Sequence, residues 1–274
     1  MAETEVNGVG LYYELEGSGE PLALVHGSWG DATSWRFVVP GLAERFRVLT
    51  YDRSGHSRSE RPDAPGSIDE DGDDLAALLE ALDLAPAHVA TSSWGGNVAL
   101  RLATRRADVF RSLTCHEPPL WGLLEGDAES REMLQRGARS LEEVGRRIAS
   151  GEHEGAARHF VEQVAFGPGA WERELPPEMR AVFVQNAATY LDEFRDPNQL
   201  DVDQDALARL EIPVRLTEGT ESPTVFGRVV DRLMQLIPRV TRETIDGAAH
   251  VPQLSTPERY AEAMTKPSGY EIAK

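Results

Sequence analysis

One cysteine, Cys115, stands in 274 residues. That excludes an internal disulfide and makes a reducing compartment the expectation. Long apolar runs are missing as well. The start, Met1-Ala2-Glu3-Thr4-Glu5, is polar and acidic, so neither a signal peptide nor a membrane span is expected, and a cytoplasmic location is the default. Basic residues are scarce: 28 Lys plus Arg face 46 Asp plus Glu, for a net charge of −18. Such a surface disfavours nucleic acid and anionic membranes, so a neutral small molecule is the expected partner. The seven histidines lack paired ligand spacing and Cys115 is alone, so no metal site is expected. Gly27-Ser28-Trp29-Gly30 lacks the lysine of a phosphate loop, and no cofactor is expected. Internal repeats and low-complexity tracts are also lacking. Charge and composition do not choose between a monomer and a homodimer.

Hydrophobic residues make up 41% of the chain, enough for a sizeable core. Strands and helices alternate. Segments 11–15, 21–25, 47–51, 111–116, 214–217 and 240–245 read as strands. Segments 34–45 (with a proline-broken middle), 68–82, 225–236 and 257–264 read as helices. Residues 118–205 break the alternation with several helices punctuated by Gly and Pro. This predicts an α/β fold: a doubly wound, mostly parallel sheet from residues 1–117 and 206–274, with a helical cap at 118–205. The insertion follows a strand's C-terminal end, where open α/β sheets place ligands, so a lid over the site is the natural expectation.

The most informative run is His88-Val89-Ala90-Thr91-Ser92-Ser93-Trp94-Gly95-Gly96-Asn97. It reads as strand, sharp turn and helix. Gly95 lies two residues after Ser93, as a nucleophile elbow requires, because a side chain there would strike the strand or the helix. Such a turn presents the Ser93 hydroxyl to a cleft and leaves the Trp94 backbone N–H free for an oxyanion. Thr91 stands where Gly is usual, two before the serine. Choosing Ser92 as the nucleophile would put Trp94 at a crowded position, so Ser93 is preferred.

Further motifs keep this company. His26-Gly27-Ser28-Trp29-Gly30 ends an early strand, Asp52-Arg53-Ser54-Gly55-His56-Ser57 follows another, and Asp246-Gly247-Ala248-Ala249-His250-Val251-Pro252 follows the last. Together they resemble the α/β-hydrolase family over the whole chain except the helical insertion. The resemblance implies an oxyanion hole from the backbone N–H groups of Ser28 and Trp94, and His250 as general base. Loss of one such donor typically costs about 3 kcal/mol. The acid departs from the family's commoner pattern. The loop after the strand that follows the insertion is Gly219-Thr220-Glu221-Ser222-Pro223, with Ser222 where Asp is usual. Some members place the acid just before the insertion instead, where this chain has Glu117, 24 residues after Ser93. Glu117 is preferred and Glu221 is the alternative.

The resemblance implies a serine hydrolase acting on a carboxylic ester or lactone through an acyl-enzyme. Ser93 replaces the Asp nucleophile of this fold's epoxide hydrolases and haloalkane dehalogenases. Trp29, Trp121 and Phe166 are the expected substrate-binding residues of an apolar pocket. The rival readings are a C–C bond hydrolase, a cofactor-free oxygenase or perhydrolase, and a non-catalytic ligand-binding protein, which the replacement at Ser222 keeps open.

Overall fold

A computed structural model describes residues 2–266; Met1 of the polar start lies outside them. Eight strands form one sheet: β1 (Ala2–Val6), β2 (Val9–Glu16), β3 (Glu20–Val25), β4 (Phe46–Tyr51), β5 (Ala87–Ser92), β6 (Phe110–His116), β7 (Val214–Gly219) and β8 (Val240–Ile245). Their order is β1-β2-β4-β3-β5-β6-β7-β8. β1 and β2 are antiparallel to their neighbours, and every pairing from β4 to β8 is parallel.

The central strands are buried on both faces. In β3, Ala23 and Val25 join one apolar cluster, and Leu22 and Leu24 join the other. This is the two-residue alternation of a strand, with apolar side chains at every position because helices cover both sides. The helices α2 (Ile68–Ala81), α3 (Trp94–Arg105) and α10 (Thr224–Leu236) pack on the first face. The short α1 (Val39–Ala43) and α12 (Pro257–Thr265) pack on the second, where Leu42, Trp35 and Tyr260 meet Leu22 and Leu24. α2 begins with a capping box between Ser67 and Glu70, and Asp69, Glu70 and Asp71 complement its dipole.

Between β6 and β7 the chain is helical. A 3₁₀ turn (Trp121–Leu124) is followed by α4 (Arg131–Ala149), α5 (His153–Phe160), a π-helical turn (Val161–Ala165), α6 (Ala170–Arg173), α7 (Pro177–Gln185), α8 (Ala187–Arg195) and α9 (Gln204–Leu207). α9 straddles the expected end of the insertion at residue 205. The segment is tied to loops that leave the C-terminal ends of the strands. Asn186 donates to the carbonyls of Trp29 (3.1 Å) and Gly30 (3.0 Å) and accepts from the N–H of Ser57 (2.8 Å). Asp196 accepts from the N–H of Ile68 at 2.8 Å, and Asn97 donates to the carbonyl of Gln199 at 3.0 Å.

A buried charge cluster adds to this seam. Arg53, 1% exposed, pairs with Asp71 of α2 and Glu193 of α8. Burial pushes both carboxyls upward, and the guanidinium opposes that shift. Among the described residues, no helix is long and apolar enough to cross a membrane.

Candidate active site

β5 ends at Ser92 and α3 starts at Trp94, which leaves Ser93 alone at the corner with φ 53 and ψ −122. A non-glycine residue rarely adopts a positive φ, and the strain is characteristic of functional turns. Six non-glycine residues do so among those described, and four of them (Trp29, Ser57, Ser93 and Glu117) lie in the segments singled out from sequence. Gly95 makes the corner possible. A Cβ there would lie 2.5 Å from the carbonyl oxygen of Val25 and 2.8 Å from that of His26. Thr91 fits the place where Gly is usual: it is fully buried, and its hydroxyl donates to the carbonyl of Thr114 at 3.4 Å. Ser92 is 1% exposed and accepts a bond from Gln253, so the corner position belongs to Ser93.

The loop after β3 comes close to the corner. A Cβ on Gly27 would lie 3.0 Å from that of Ser93 and 3.1 Å from the Ser92 carbonyl oxygen, so a side chain there would crowd the corner. The approach brings the Ser28 backbone beside the nucleophile. Among the described residues, neither the Ser28 N–H nor the Trp94 N–H donates within the chain. Both are therefore available to an oxyanion.

Glu117 follows β6 directly, with φ 47 and no exposed surface. Its Oε2 accepts from His250 Nδ1 at 2.6 Å, and its Oε1 accepts from the Gly219 N–H at 2.8 Å. Burial works against its charge, but the His116 and His250 rings and the Gly219 N–H prevail and hold the carboxyl down at about 2. It is therefore ionised at neutral pH. The bond at Nδ1 directs Nε2 of His250 elsewhere, and that nitrogen is buried without a protein partner. His250 and Ser93 line the same cleft without a direct hydrogen bond, as is common before substrate tightens a site. Glu221 is exposed, and its N–H donates to the carbonyl of Ala248. Of the two acids, Glu117 is the one at the histidine.

His116 is also buried. Its Nδ1 bonds the Thr217 hydroxyl at 3.0 Å, and Nε2 lies 3.6 Å from Glu117 Oε2. Burial lowers its pKa to about 4 despite the nearby carboxylate, so the ring is neutral. It lines neither lobe of the cleft. His116, Glu117 and His250 are the one group among the described residues whose ligand atoms converge, within 4.8 Å of one another. Sequence spacing did not show this convergence. The Glu117 and His250 atoms are already committed to each other. Cys115 is buried beside them, and burial pushes its thiol up to about 12, which leaves it unreactive.

The cleft has two small lobes that share Ser28, Ser93, Phe160 and His250. One, of about 30 Å³, adds Phe166, Met179, Phe183 and Gln253. The other, of about 40 Å³, adds Trp94, Trp121, Leu141 and Phe226. Trp121 and Phe166 line the cleft. Trp29 lines neither lobe. It is fully buried under the helical segment, stacked on Tyr190 with centroids 4.7 Å apart. Its backbone has a positive φ of 66, and its ring also meets Phe160 and Phe183.

Sequence reasoning missed Phe226 and Gln253. Phe226 stacks on the His250 ring, centroids 4.1 Å apart and planes at 18°. Nothing in its local pattern marks it. Gln253 was detectable, since it sits three residues after His250 at the start of a short helix, α11 (Pro252–Ser255). A cavity of about 460 Å³, far larger than either lobe, lies around Arg53, Asp71, Asp74 and Glu193, and holds neither Ser93 nor His250. Size alone therefore does not locate the chemistry.

Comparison with known proteins agrees with this architecture. The profile of the alpha/beta hydrolase fold family matches residues 20–257, and the chain belongs to that family. A protein named as a carbamate hydrolase in Azorhizobium caulinodans is 29% identical over 272 residues, covering 93% of each chain. Two solved structures share the fold. Est816, described as an N-acyl homoserine lactone degrading enzyme, superposes with a TM-score of 0.76 at 24% identity, over 95% of this chain and 98% of its own. An epoxide hydrolase from Bacillus megaterium gives 0.78 at 20% identity, over 96% and 98%. These relatives are named for different reactions, so the reaction of this chain is argued from its own residues.

Proposed function

We propose that the protein is a serine hydrolase that cleaves a carboxylic ester or lactone of a fairly apolar small molecule. The observation that carries the reading is the 2.6 Å bond from His250 Nδ1 to Glu117, at a cleft shared with the strained Ser93 corner. His250 Nε2 takes the Ser93 proton as the hydroxyl attacks the carbonyl. The N–H groups of Ser28 and Trp94 hold the oxyanion. Collapse of the tetrahedral intermediate expels the alcohol, which takes its proton from His250. Water, deprotonated by His250, then releases the acid. Glu117 fixes the tautomer and stabilises the imidazolium while remaining ionised.

The lobes hold only a few atoms each, far less than a usual ligand pocket. The helical segment acts as a cap that shifts to admit substrate. A serine nucleophile sets the protein apart from family members that use Asp for epoxides. Rapid-quench kinetics with p-nitrophenyl acetate test the proposal. The expected result is a stoichiometric burst of nitrophenol that vanishes in Ser93→Ala. Steady release without a burst, unchanged in Ser93→Ala, would overturn it.

A further inference from the structure

The hydrolytic machinery makes no use of Gln253, although the residue is built into its cleft. Gln253 is 3% exposed. Its Nε2 donates to the hydroxyl of Ser92, beside the nucleophile, at 3.2 Å. Its Oε1 is buried and accepts nothing. Buried polar atoms without partners are rare in native proteins, because each forfeits its hydration. The side chain lines the lobe that holds Ser93, His250, Phe166 and Phe183.

The Ser92 hydroxyl both donates and accepts, so it can hold either end of the carboxamide. In either orientation one end is anchored and the other is left over within a mostly apolar lobe. A purely structural glutamine would be satisfied at both ends. No Lys, Arg, Asp or Glu lines this lobe, so a charged substrate group would be unpaired there.

We propose that Gln253 is a specificity-determining residue whose free amide oxygen accepts a hydrogen bond from a neutral O–H or N–H group of the substrate. The preferred substrates then carry a hydroxyl or secondary amide close to the ester or lactone, on the part that enters the Phe166–Phe183 lobe. This rests on the serine-hydrolase reading above.

Two matched substrate pairs test it: p-nitrophenyl butyrate against p-nitrophenyl 3-hydroxybutyrate, and γ-butyrolactone against α-acetamido-γ-butyrolactone. In at least one pair the wild type should favour the polar member by about tenfold in kcat/KM, chiefly through KM. Gln253→Met should erase that preference, lowering kcat/KM about tenfold more for the polar member than for the apolar one. Gln253→Asn retracts the amide by one methylene and should lose the preference too, which covers failure of the Met variant to fold. Equal preference in the wild type, or an equal loss on both members in the variants, overturns the inference. So does a protein that takes a fluorophosphonate at Ser93 yet turns over neither pair. Absence of that labelling would instead bring down the hydrolase reading itself.

Discussion

Glu117 and His250 lie 133 residues apart in the chain, and the carboxylate accepts from the imidazole Nδ1 at 2.6 Å. Glu117 stands at the end of β6, before the helical segment, and His250 in the loop after β8. The Gly219 N–H, from the strand between them in the sheet, holds the second carboxylate oxygen. The loop where the family more often carries its acid thus still contributes, through its backbone. Ser222 leaves the acid position there empty of charge, and in the proposed reaction Glu117 supplies it from the neighbouring strand.

This division of labour predicts opposite outcomes for two glutamates. Glu117→Gln should cut kcat on an activated ester by on the order of a thousandfold or more, since a neutral amide neither fixes the tautomer nor stabilises the imidazolium. Glu221→Gln, at an exposed side chain, should change it less than twofold. Steady-state rates for the two variants, with circular dichroism to confirm folding, check the pair.

Acid should destabilise the fold below pH 6.5. Burial holds His26 neutral down to about 3 and His116 to about 4, and keeps His56 well below its ordinary value. In the unfolded chain all three take up protons near pH 6.5, whereas in the fold they do not. Their contribution is therefore complete above pH 6.5 and is lost as pH falls, by up to about 1.4 kcal/mol per unit for each. Asp74 acts in the opposite sense, because burial raises its carboxyl to about 6. It adds stability as pH falls from 6 to its unfolded value, and Asp71 and Glu193, also raised by burial, act in the same sense, but the histidine loss begins first, near pH 6.5, and leads down to pH 5. Below about pH 4.5 the depressed Glu117 adds a further loss. Urea midpoints should fall steadily from pH 7.5 to pH 5. A flat or rising series contradicts the assignment.

Gly95 is predicted to be irreplaceable. A Cβ meets two backbone carbonyls of the β3 exit, which cannot retreat as a flexible side chain would. Gly95→Ala should cost about 1–3 kcal/mol of stability and displace the Ser28 loop. Loss of ester turnover beyond what the unfolded fraction explains is the expected readout, from paired thermal melts and rates.

Phe226 lies face to face with the imidazole of His250. Phe226→Leu keeps the site apolar but removes the plane that fixes the ring. A loss of about threefold to tenfold in kcat is expected, in line with the energy of one aromatic contact. KM for a small ester should hardly move. An unchanged kcat would show that Glu117 alone orients the base.

The parts of the site legible in the sequence are those written locally. Ser93 with Gly95 two residues on, and His250 in its Gly/Ala loop, announce themselves within ten residues. Glu117 was legible by elimination at Ser222 together with the resemblance. The central strands were legible from short apolar runs, as Leu22–Val25 in β3. β1 was not, since Ala2-Glu3-Thr4-Glu5-Val6 is an edge strand with its glutamates in solvent. Phe226 and the Arg53–Glu193 pair depend on helices packed from distant segments, which no local pattern encodes. Trp29 shows the limit of reading aromatics by neighbourhood. Its position beside Ser28 suggested the cleft, but the ring is packed under the helical segment against Tyr190.

The most direct test of the account is the mass of the protein after treatment with a small fluorophosphonate, with the adduct mapped by peptide sequencing. The account predicts one adduct per chain, on Ser93, strongly slowed in Glu117→Gln and absent in His250→Ala. A folded protein that takes no adduct, or takes it on another residue such as Ser92, would contradict it.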